Sequence, residues 1–374
     1  PIAFHTEKTY SAPFAIYAFT KEATVLPNGS VVREYPRLTY AGITIKDQAE
    51  HRADILHRLF VIMLKSILLS AALSVLLMLI GCARHHLSWE AFFAKVLKGQ
   101  TDYPWRSFLL FIWLMISLMV FIHDFMPVYH IFGTNQVGED VLYQTLKSIR
   151  TGLIIGTLTT LVMLPFAVLF GMMAGYFRGW IDDVIQYIYT TLSSIPGVLL
   201  IAAAVLAIQM VMDRHTDWFQ STIQRADARL LALCAILGIT SWTTLCRLMR
   251  AESLKISQMD YVQAAHSLGV SDFKVLLRHL LPNVLHIILI TVALDFSGLV
   301  LAEAVLSYVG VGVDPSSISW GTMINSARLE MARIPVVWWN LAAAFIFMFI
   351  LVLAANIFSD AVRDSFDPHY QGAM

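Results

Sequence analysis

The sequence predicts an all-α polytopic membrane protein, and composition, apolar segments and charge placement all support this fold class. Hydrophobic residues make up 57% of the 374 residues and charged residues only 14%. A soluble domain carries about 25% charged residues, so this chain lacks the polar cover of a water-facing surface. Membrane lipid is therefore an expected partner. The formal net charge of zero argues against nucleic acid as another.

Seven apolar segments approach the length of about 20 residues that a helix needs to cross a bilayer. They are residues 59–81, 107–123, 150–175, 184–211, 230–249, 284–308 and 336–358. The third contains Pro165, which the neighbouring helices of a bundle can tolerate. In the fourth, Ser193 and Ser194 precede Ile195-Pro196-Gly197. Those residues either break the helix near a pore or only kink it.

The orientation of the segments follows from Lys and Arg, which accumulate in cytoplasmic loops. Residues 84–106 and 247–278 are rich in them. If the segments alternate, both stretches and the C-terminus lie in the cytoplasm, and residue 1 lies outside it. Because residues 1–58 carry no signal-peptide pattern, we expect an upstream transmembrane helix that this sequence does not include.

Four regions follow from this map. Residues 1–58 form an extracytoplasmic region, predicted to be β-rich or irregular with a turn at Asn28-Gly29-Ser30. Residues 59–106 hold a transmembrane helix and an amphipathic cytoplasmic loop. In that loop His85-His86 has no third ligand at helical spacing, so we predict no metal site. Residues 107–368 form the transmembrane core, and 369–374 are a C-terminal tail.

The stretch from Asp260 to Asn283, between the fifth and sixth segments, predicts a short helix, a break and a second helix. One apolar stripe recurs at i, i+3, i+4 and i+7: Tyr261, Ala264, Ala265 and Leu268. Two alanines at its centre would let a partner surface approach the backbone closely. Gly269 suits the turn because it takes a positive φ without strain. Pro282 marks the start of the sixth segment.

This stretch resembles the EAA loop of binding-protein-dependent ABC importer permeases. The matching pattern is Gln263-Ala264-Ala265, three residues, Gly269, nine residues, His279, one residue and Leu281-Pro282. Gln263 stands where Glu is usual, and His279 stands where Ile is usual. Residues 278–283 are similar to the dipeptide, oligopeptide and nickel branch of the family, with the chain as second permease of the pair.

Three further stretches resemble the same branch. Residues 132–141 are similar to the segment before its first core helix, with Asn135 and Glu139 in place of Asp and Arg. Residues 301–312 with 319–321 resemble the segment before the last helix, and residues 360–368 resemble the C-terminal ending. The four matches occur in order and cover about residues 130–368. They leave the helix at 59–81 as an addition.

The resemblance implies a type I ABC importer permease bundle with an extra N-terminal region, in the bacterial inner membrane. The expected partners are a homologous permease subunit, two ABC ATPase subunits and an extracytoplasmic solute-binding protein. The chain contains no phosphate-binding loop. We therefore expect it not to be an enzyme, to hold no cofactor and to have ATP and Mg on the ATPase subunits. The implied coupling residues are Tyr261, Gln263, Ala264, Ala265, Leu268, Gly269 and Pro282.

The substrate path is predicted from polar residues in membrane segments, where ionisable groups are costly and usually functional. The candidates are Asp295, Glu303, Ser193 and Ser194. Packing against a neighbouring helix would equally explain the two carboxylates. The substrate itself stays open among dipeptides, longer peptides, antimicrobial peptides and nickel complexes. The sequence leaves two alternative functions open: a non-transporting assembly or sensor subunit with a permease fold, and an intramembrane enzyme.

Overall fold

The computed structural model describes residues 4–25, 31–43, 45, 47–85, 88–99, 101 and 104–366. The predicted turn at Asn28-Gly29-Ser30, the side chains of His85-His86 and the tail 369–374 lie outside the described residues. Contacts divide the chain into two compact units, one ending at Tyr143 and one beginning at Gln144.

The first unit contains a small sheet and three helices. Strands β1 (Glu22–Val25) and β2 (Val31–Glu34) are antiparallel, with Glu22 opposite Glu34, within the region predicted to be β-rich or irregular. The helices that follow are α1 (Gln48–His85), α2 (Trp89–Lys98) and α3 (Trp105–Phe125). The amphipathic α2 buries Phe92 and Val96 against Met78 of α1, and its basic residues lie in its last turn.

The second unit is helical. From the start of α4 the helices are α4 (Val141–Phe177), α5 (Gly179–Ser194), α6 (Gly197–Arg214), α7 (Thr222–Ile256), α8 (Asp260–Ser267), α9 (Asp272–Val275), α10 (Leu281–Tyr308), α11 (Trp320–Glu330) and α12 (Trp339–Phe366). A π-helical turn, Leu276–Leu280, joins α9 to α10. The run from Asp272 to Tyr308 is thus continuous.

Seven helical runs of the described chain are long and apolar enough to cross a membrane: α1, α3, α4, α6, α7, the run from α9 through α10, and α12. Each overlaps one predicted segment, so the polytopic all-α fold class is confirmed. Pro165 lies inside α4 without ending it.

The fourth predicted segment is wrong as a single helix, because the chain breaks between α5 and α6. Ile195 is extended, with φ −89° and ψ 133°, and α6 begins at Gly197. Pro196 has no N–H to continue the helix, and its ring disfavours helical backbone at the residue before it. The sequence left open whether residues 193–197 break the helix or only kink it, and the structure shows a break.

In the second unit, α4 packs closely against the C-terminal half of α7. A Cβ added at Gly171 would lie 2.4 Å from the Cβ of Met249 and 2.7 Å from the carbonyl oxygen of Cys246. Glycine therefore permits a separation that no other residue would, as at many interfaces between membrane helices. The helix end that precedes α8 is consequently held against α4.

Candidate functional site

The candidate site is the loop from α7 to α10, and α8 is its exposed element. The end of α8 has the hydrogen bonds of a Schellman motif. The Gly269 N–H donates to the His266 carbonyl at 3.0 Å, and the Val270 N–H donates to the Ala265 carbonyl at 3.1 Å. Gly269 has φ +78°, so the prediction that it supplies a left-handed turn is confirmed. Pro282 lies in the first turn of α10, also as predicted.

The predicted apolar stripe of α8 divides between two faces. Ala265 is only 8% exposed and, together with Val262, faces the helix bundle. Leu268 is 84% exposed and Tyr261 43%, and Ala264 is exposed beside them. The prediction that Ala265 belongs to the outward stripe is therefore wrong. Four positions spaced i, i+3, i+4 and i+7 cover a wide arc of a helix, and Ala265 lies at its inner edge.

Val262 connects α8 to the core of the bundle. It belongs to one buried cluster with residues of five other helices, α4, α5, α7, α9 and α10, which include Met172 of α4, Tyr189 of α5, Cys246 of α7 and Val284 of α10. Because interiors are packed as densely as crystals, a displacement of α8 cannot be absorbed locally. It must shift the helices that share this cluster.

Polar contacts fix the exposed side of the loop. The side-chain amide of Asn283 donates to the Tyr261 hydroxyl at 3.2 Å and to the His279 carbonyl at 2.6 Å. The Tyr176 hydroxyl donates to Oδ1 of Asp272 at 2.8 Å. Gln263, which replaces the usual Glu, donates from its side chain to the Gln258 carbonyl at 3.2 Å. Its amide therefore binds within the loop.

A charged pair holds α5 against α7 just before the loop. Arg250 donates from Nε and from a terminal nitrogen to the two carboxylate oxygens of Asp182, both at 2.6 Å. Such a two-point geometry is specific to arginine. The hydrogen bonds from Arg250 lower the pKa of Asp182, against the opposing effect of burial. Sequence reasoning missed this pair because 68 residues separate its partners.

The four candidates for the substrate path have different surroundings. Glu303 is buried, and its Oε1 accepts hydrogen bonds from Ser307 at 2.6 Å and Ser319 at 3.0 Å. Ser319 also caps α11. Glu303 thus connects α10 to the N-cap of α11. Its buried position does not support the prediction that it lines the substrate path.

Asp295 is half-buried on α10. No hydrogen bond or ion pair reaches it from the part of the chain that the structure describes. Ser193 and Ser194 form the exposed last turn of α5 at the break, where the Ser194 hydroxyl donates to the Thr191 carbonyl at 2.7 Å. These three residues are more exposed than Glu303.

Sequence reasoning also missed a buried charge cluster in the first unit. Nδ1 of His130 is 2.7 Å from Oδ2 of Asp140, and its Nε2 is 3.7 Å from Oε1 of Glu7. The Glu7 carboxylate also accepts the backbone N–H groups of residues 39–41 at 2.8 to 3.1 Å. The cluster fastens the N-terminal residues to the segment before α4. The wide sequence separation of its members hides it.

Burial and the neighbouring groups shift the pKa values in this cluster in opposite directions, and the neighbouring groups have the larger combined effect. Burial would raise the pKa of Glu7, yet His130 and the three amides lower that pKa to about 2. Burial would lower the pKa of His130, yet the carboxylates of Asp140 and Glu7 raise it. The arrangement thus favours an imidazolium between two carboxylates.

Comparison with known proteins finds similar sequences among transport system permeases. The oligopeptide transport system permease protein OppC of Mycobacterium tuberculosis is 30% identical over 239 residues, which are 64% of this chain and 76% of that protein. The glutathione transport system permease protein GsiD of Pectobacterium atrosepticum is 32% identical over 241 residues, 64% of this chain and 72% of that protein. A solved inward-facing structure of the MetNI methionine ABC transporter is 15% identical, with a TM-score of 0.44, over 60% of this chain and 95% of that one.

The family model of the binding-protein-dependent transport system inner membrane component matches residues 167–372. This range contains α5 to α12, including the whole loop from α7 to α10 and the two polar sites at the α5 break and on α10. It is more than half of the chain. The chain therefore belongs to the family of binding-protein-dependent transport system inner membrane components.

Proposed function

We propose that this chain is one permease subunit of an ATP-driven importer of peptides, and that α8 is where an ATPase subunit docks. The observation that carries the proposal is the division of α8 into two faces. Tyr261, Ala264 and Leu268 are exposed and leave the backbone accessible, whereas Val262 and Ala265 lie against the bundle. The peptide substrate is inferred from the oligopeptide and glutathione permeases that the chain resembles.

The partners belong to the same proposal. A homologous permease subunit would complete the pore, two ATPase subunits would supply ATP and Mg chemistry, and an extracytoplasmic binding protein would deliver the substrate. The basic stretches 84–106 and 247–278 favour a cytoplasmic position for α8 and the C-terminus. Residue 1 would then lie outside the cytoplasm.

The transmission of force follows from the contacts of α8. When the ATPase subunits close on ATP, they push the exposed face of α8. Val262 carries the displacement into the cluster shared by α4, α5, α7 and α10, while Asn283 carries it directly to α10. A packed core has discrete arrangements, so a small displacement can exchange inward-open for outward-open packing.

For the substrate path we propose Asp295 with Ser193 and Ser194. Asp295 is a carboxylate at membrane depth without a described partner, and the α5 break exposes the two serines. A carboxylate in this position suits the terminal ammonium of a peptide, and hydroxyl groups suit its amides.

A pair of neighbouring substitutions tests the docking proposal. Ala264→Arg adds a long charged side chain to the exposed face, so the membrane subunit should fold while the ATPase no longer co-purifies with it. Ala265→Arg places the charge at a buried site and should reduce the amount of folded protein instead. Gln220→Arg, at an exposed position just before the start of α7, serves as the control and should keep the ATPase.

The wild-type complex must also hydrolyse ATP faster when loaded binding protein is added. A wild-type chain that brings down no ATPase would refute the importer role and favour the assembly or sensor function. If the Ala264→Arg complex keeps its ATPase subunits and its stimulated ATP hydrolysis, α8 is not the docking element.

A further inference from the structure

A groove runs along α1 and α3 in the first unit. Its volume is about 680 Å³, and its middle is lined by apolar side chains from both helices: Leu68, Leu69, Ala72, Met119 and Val120. Leu68 and Met119 are largely exposed. Both helices are long and apolar enough to span a membrane, so the medium that reaches this groove is lipid.

One end of the groove is charged. Nζ of Lys65 lies 2.6 Å from Oδ2 of Asp124, yet the Lys65 side chain remains 54% exposed. Next to this pair is a second cavity of about 370 Å³, which shares Lys65, His123 and Asp124 with the groove and adds Asp54, His57 and Arg58. We call this second cavity the polar chamber. Because it shares three lining residues with the apolar groove, the two adjoin, and together they could hold a molecule with a charged head and an apolar tail.

The charges of the chamber select the headgroup. Arg58 and Lys65 are balanced by Asp54 and Asp124, and each cation is already 2.6 to 2.7 Å from a carboxylate. A net negative headgroup would face two carboxylates, whereas a zwitterion adds no net charge. Its phosphodiester can approach Lys65, while its ammonium approaches the acidic side of the chamber, where the side chains of Asp54 and Asp124 are 25% and 14% exposed.

We propose that this site binds a glycerophospholipid with a phosphoethanolamine headgroup. The headgroup lies in the chamber, and one acyl chain lies along the groove from Lys65 to Ala72. Seven residues of helix separate these positions, or about 10 Å, so the groove holds the upper part of a chain. The lipid bridges α1 to α3, and both helices precede the part of the chain matched by the family model.

Two adjacent alanines on α1 give a matched test. Ala72 lines the groove, whereas Ala71 is also exposed but lies outside it. The full chain, with its associated subunits, is reconstituted in nanodiscs of equal phosphatidylethanolamine and phosphatidylglycerol. It is then released into detergent, and the retained phospholipids are measured by native mass spectrometry.

Ala72→Phe fills the groove and should lower retained phosphatidylethanolamine severalfold, because the ring takes the space of the acyl chain and removes its packing contacts with α1 and α3. Ala71→Phe should retain the wild-type amount. Equal retention by both variants, or equal loss from both, would overturn the proposal. If Ala72→Phe instead expels a protein subunit and leaves the lipid unchanged, the groove is a protein interface and the proposal fails.

The headgroup is tested separately, first in the wild-type chain and then in a Lys65 variant. Phosphatidylethanolamine should be enriched over phosphatidylglycerol among the retained lipids, and a photoreactive phosphatidylethanolamine should label α1 or α3. Lys65→Gln should abolish the enrichment. Equal retention of the two lipids by the wild-type chain, or enrichment of phosphatidylglycerol, would contradict the zwitterion assignment.

Discussion

The side-chain amide of Asn283 donates to the hydroxyl of Tyr261 at 3.2 Å and so ties the start of α10 to the exposed face of α8. The same nitrogen donates to the His279 carbonyl in the π-helical turn. One side chain thus connects the proposed docking helix, the turn and a membrane span. The contact is exposed, and it can change without unfolding the bundle.

Asn283→Ala should separate docking from coupling. The ATPase should still co-purify, while stimulated ATP hydrolysis should fall about two- to tenfold, because a net hydrogen bond contributes about 0.5–1.5 kcal/mol. Tyr261→Phe removes only the bond between the two side chains and should have a smaller effect. If the double variant shows the two losses multiplied, the residues act independently and the proposed link is wrong.

Gly269→Ala should weaken the end of α8 through the backbone alone. No atom of the described residues lies within 4 Å of the added Cβ, so the cost is that of a left-handed residue, about 1–2 kcal/mol. This loss of stability should appear as faster amide hydrogen exchange in α8 of the variant than in α8 of the wild-type chain. Gly298→Ala is the control: its Cβ also meets no atom within 4 Å, and its φ is not positive. Equal exchange in the two variants would show that the turn does not need glycine.

The two carboxylates of α10 should behave differently. Asp295→Asn should reduce uptake of a labelled peptide and leave thermal stability unchanged, because nothing described binds its carboxylate. Glu303→Ala leaves two serine hydroxyls without their acceptor and should cost about 2–3 kcal/mol of stability. Unchanged uptake by Asp295→Asn would remove this residue from the path.

The Glu7–His130–Asp140 cluster should make the anchoring of the N-terminal residues depend on pH. The raised pKa of His130 contributes stability below the ordinary value of 6.5, and that stability is lost as pH rises through the raised pKa. The lowered pKa of Glu7 contributes stability above 4.5, lost as pH falls towards about 2. Anchoring should thus be strongest between about pH 4.5 and 6.5.

Hydrogen exchange of the amides of Thr39, Tyr40 and Ala41, which donate to Glu7, measures this anchoring. After correction for intrinsic rates, protection should fall on the alkaline side. His130→Gln cannot titrate and should lose that alkaline dependence, whereas His215→Gln, exposed after α6, should keep it. The same alkaline loss of protection in His130→Gln would exclude the imidazolium as its cause.

Local patterns predicted seven apolar segments that each overlap a span, the turn at Gly269 and the position of Pro282, because length, hydropathy and backbone freedom are properties of neighbouring residues. The same patterns did not assign the inner face of α8. Its residues are small or apolar on both sides, so periodicity alone cannot say that Val262 and Ala265 face the bundle. The tertiary contacts of Val262 decide this.

Pairs of distant residues could not be predicted from one sequence. Arg250 and Asp182 are 68 residues apart, and the cluster of Glu7 with His130 joins parts of the chain more than 120 residues apart. Glu303 shows the converse: an acidic residue in a membrane span suggests function, but here two serine hydroxyls donate hydrogen bonds to its carboxyl group and join it to the start of α11. Only the partners distinguish these cases.

Photo-crosslinking from α8 tests the central claim most directly. Leu268, the C-cap residue of α8, is 84% exposed, and Ile223 is 73% exposed at the opposite end of α7. A benzophenone side chain in place of Leu268 should crosslink to an ATPase subunit in the membrane, and the same side chain in place of Ile223 should not. If Leu268 gives no such product, or Ile223 gives as much, α8 is not the docking helix.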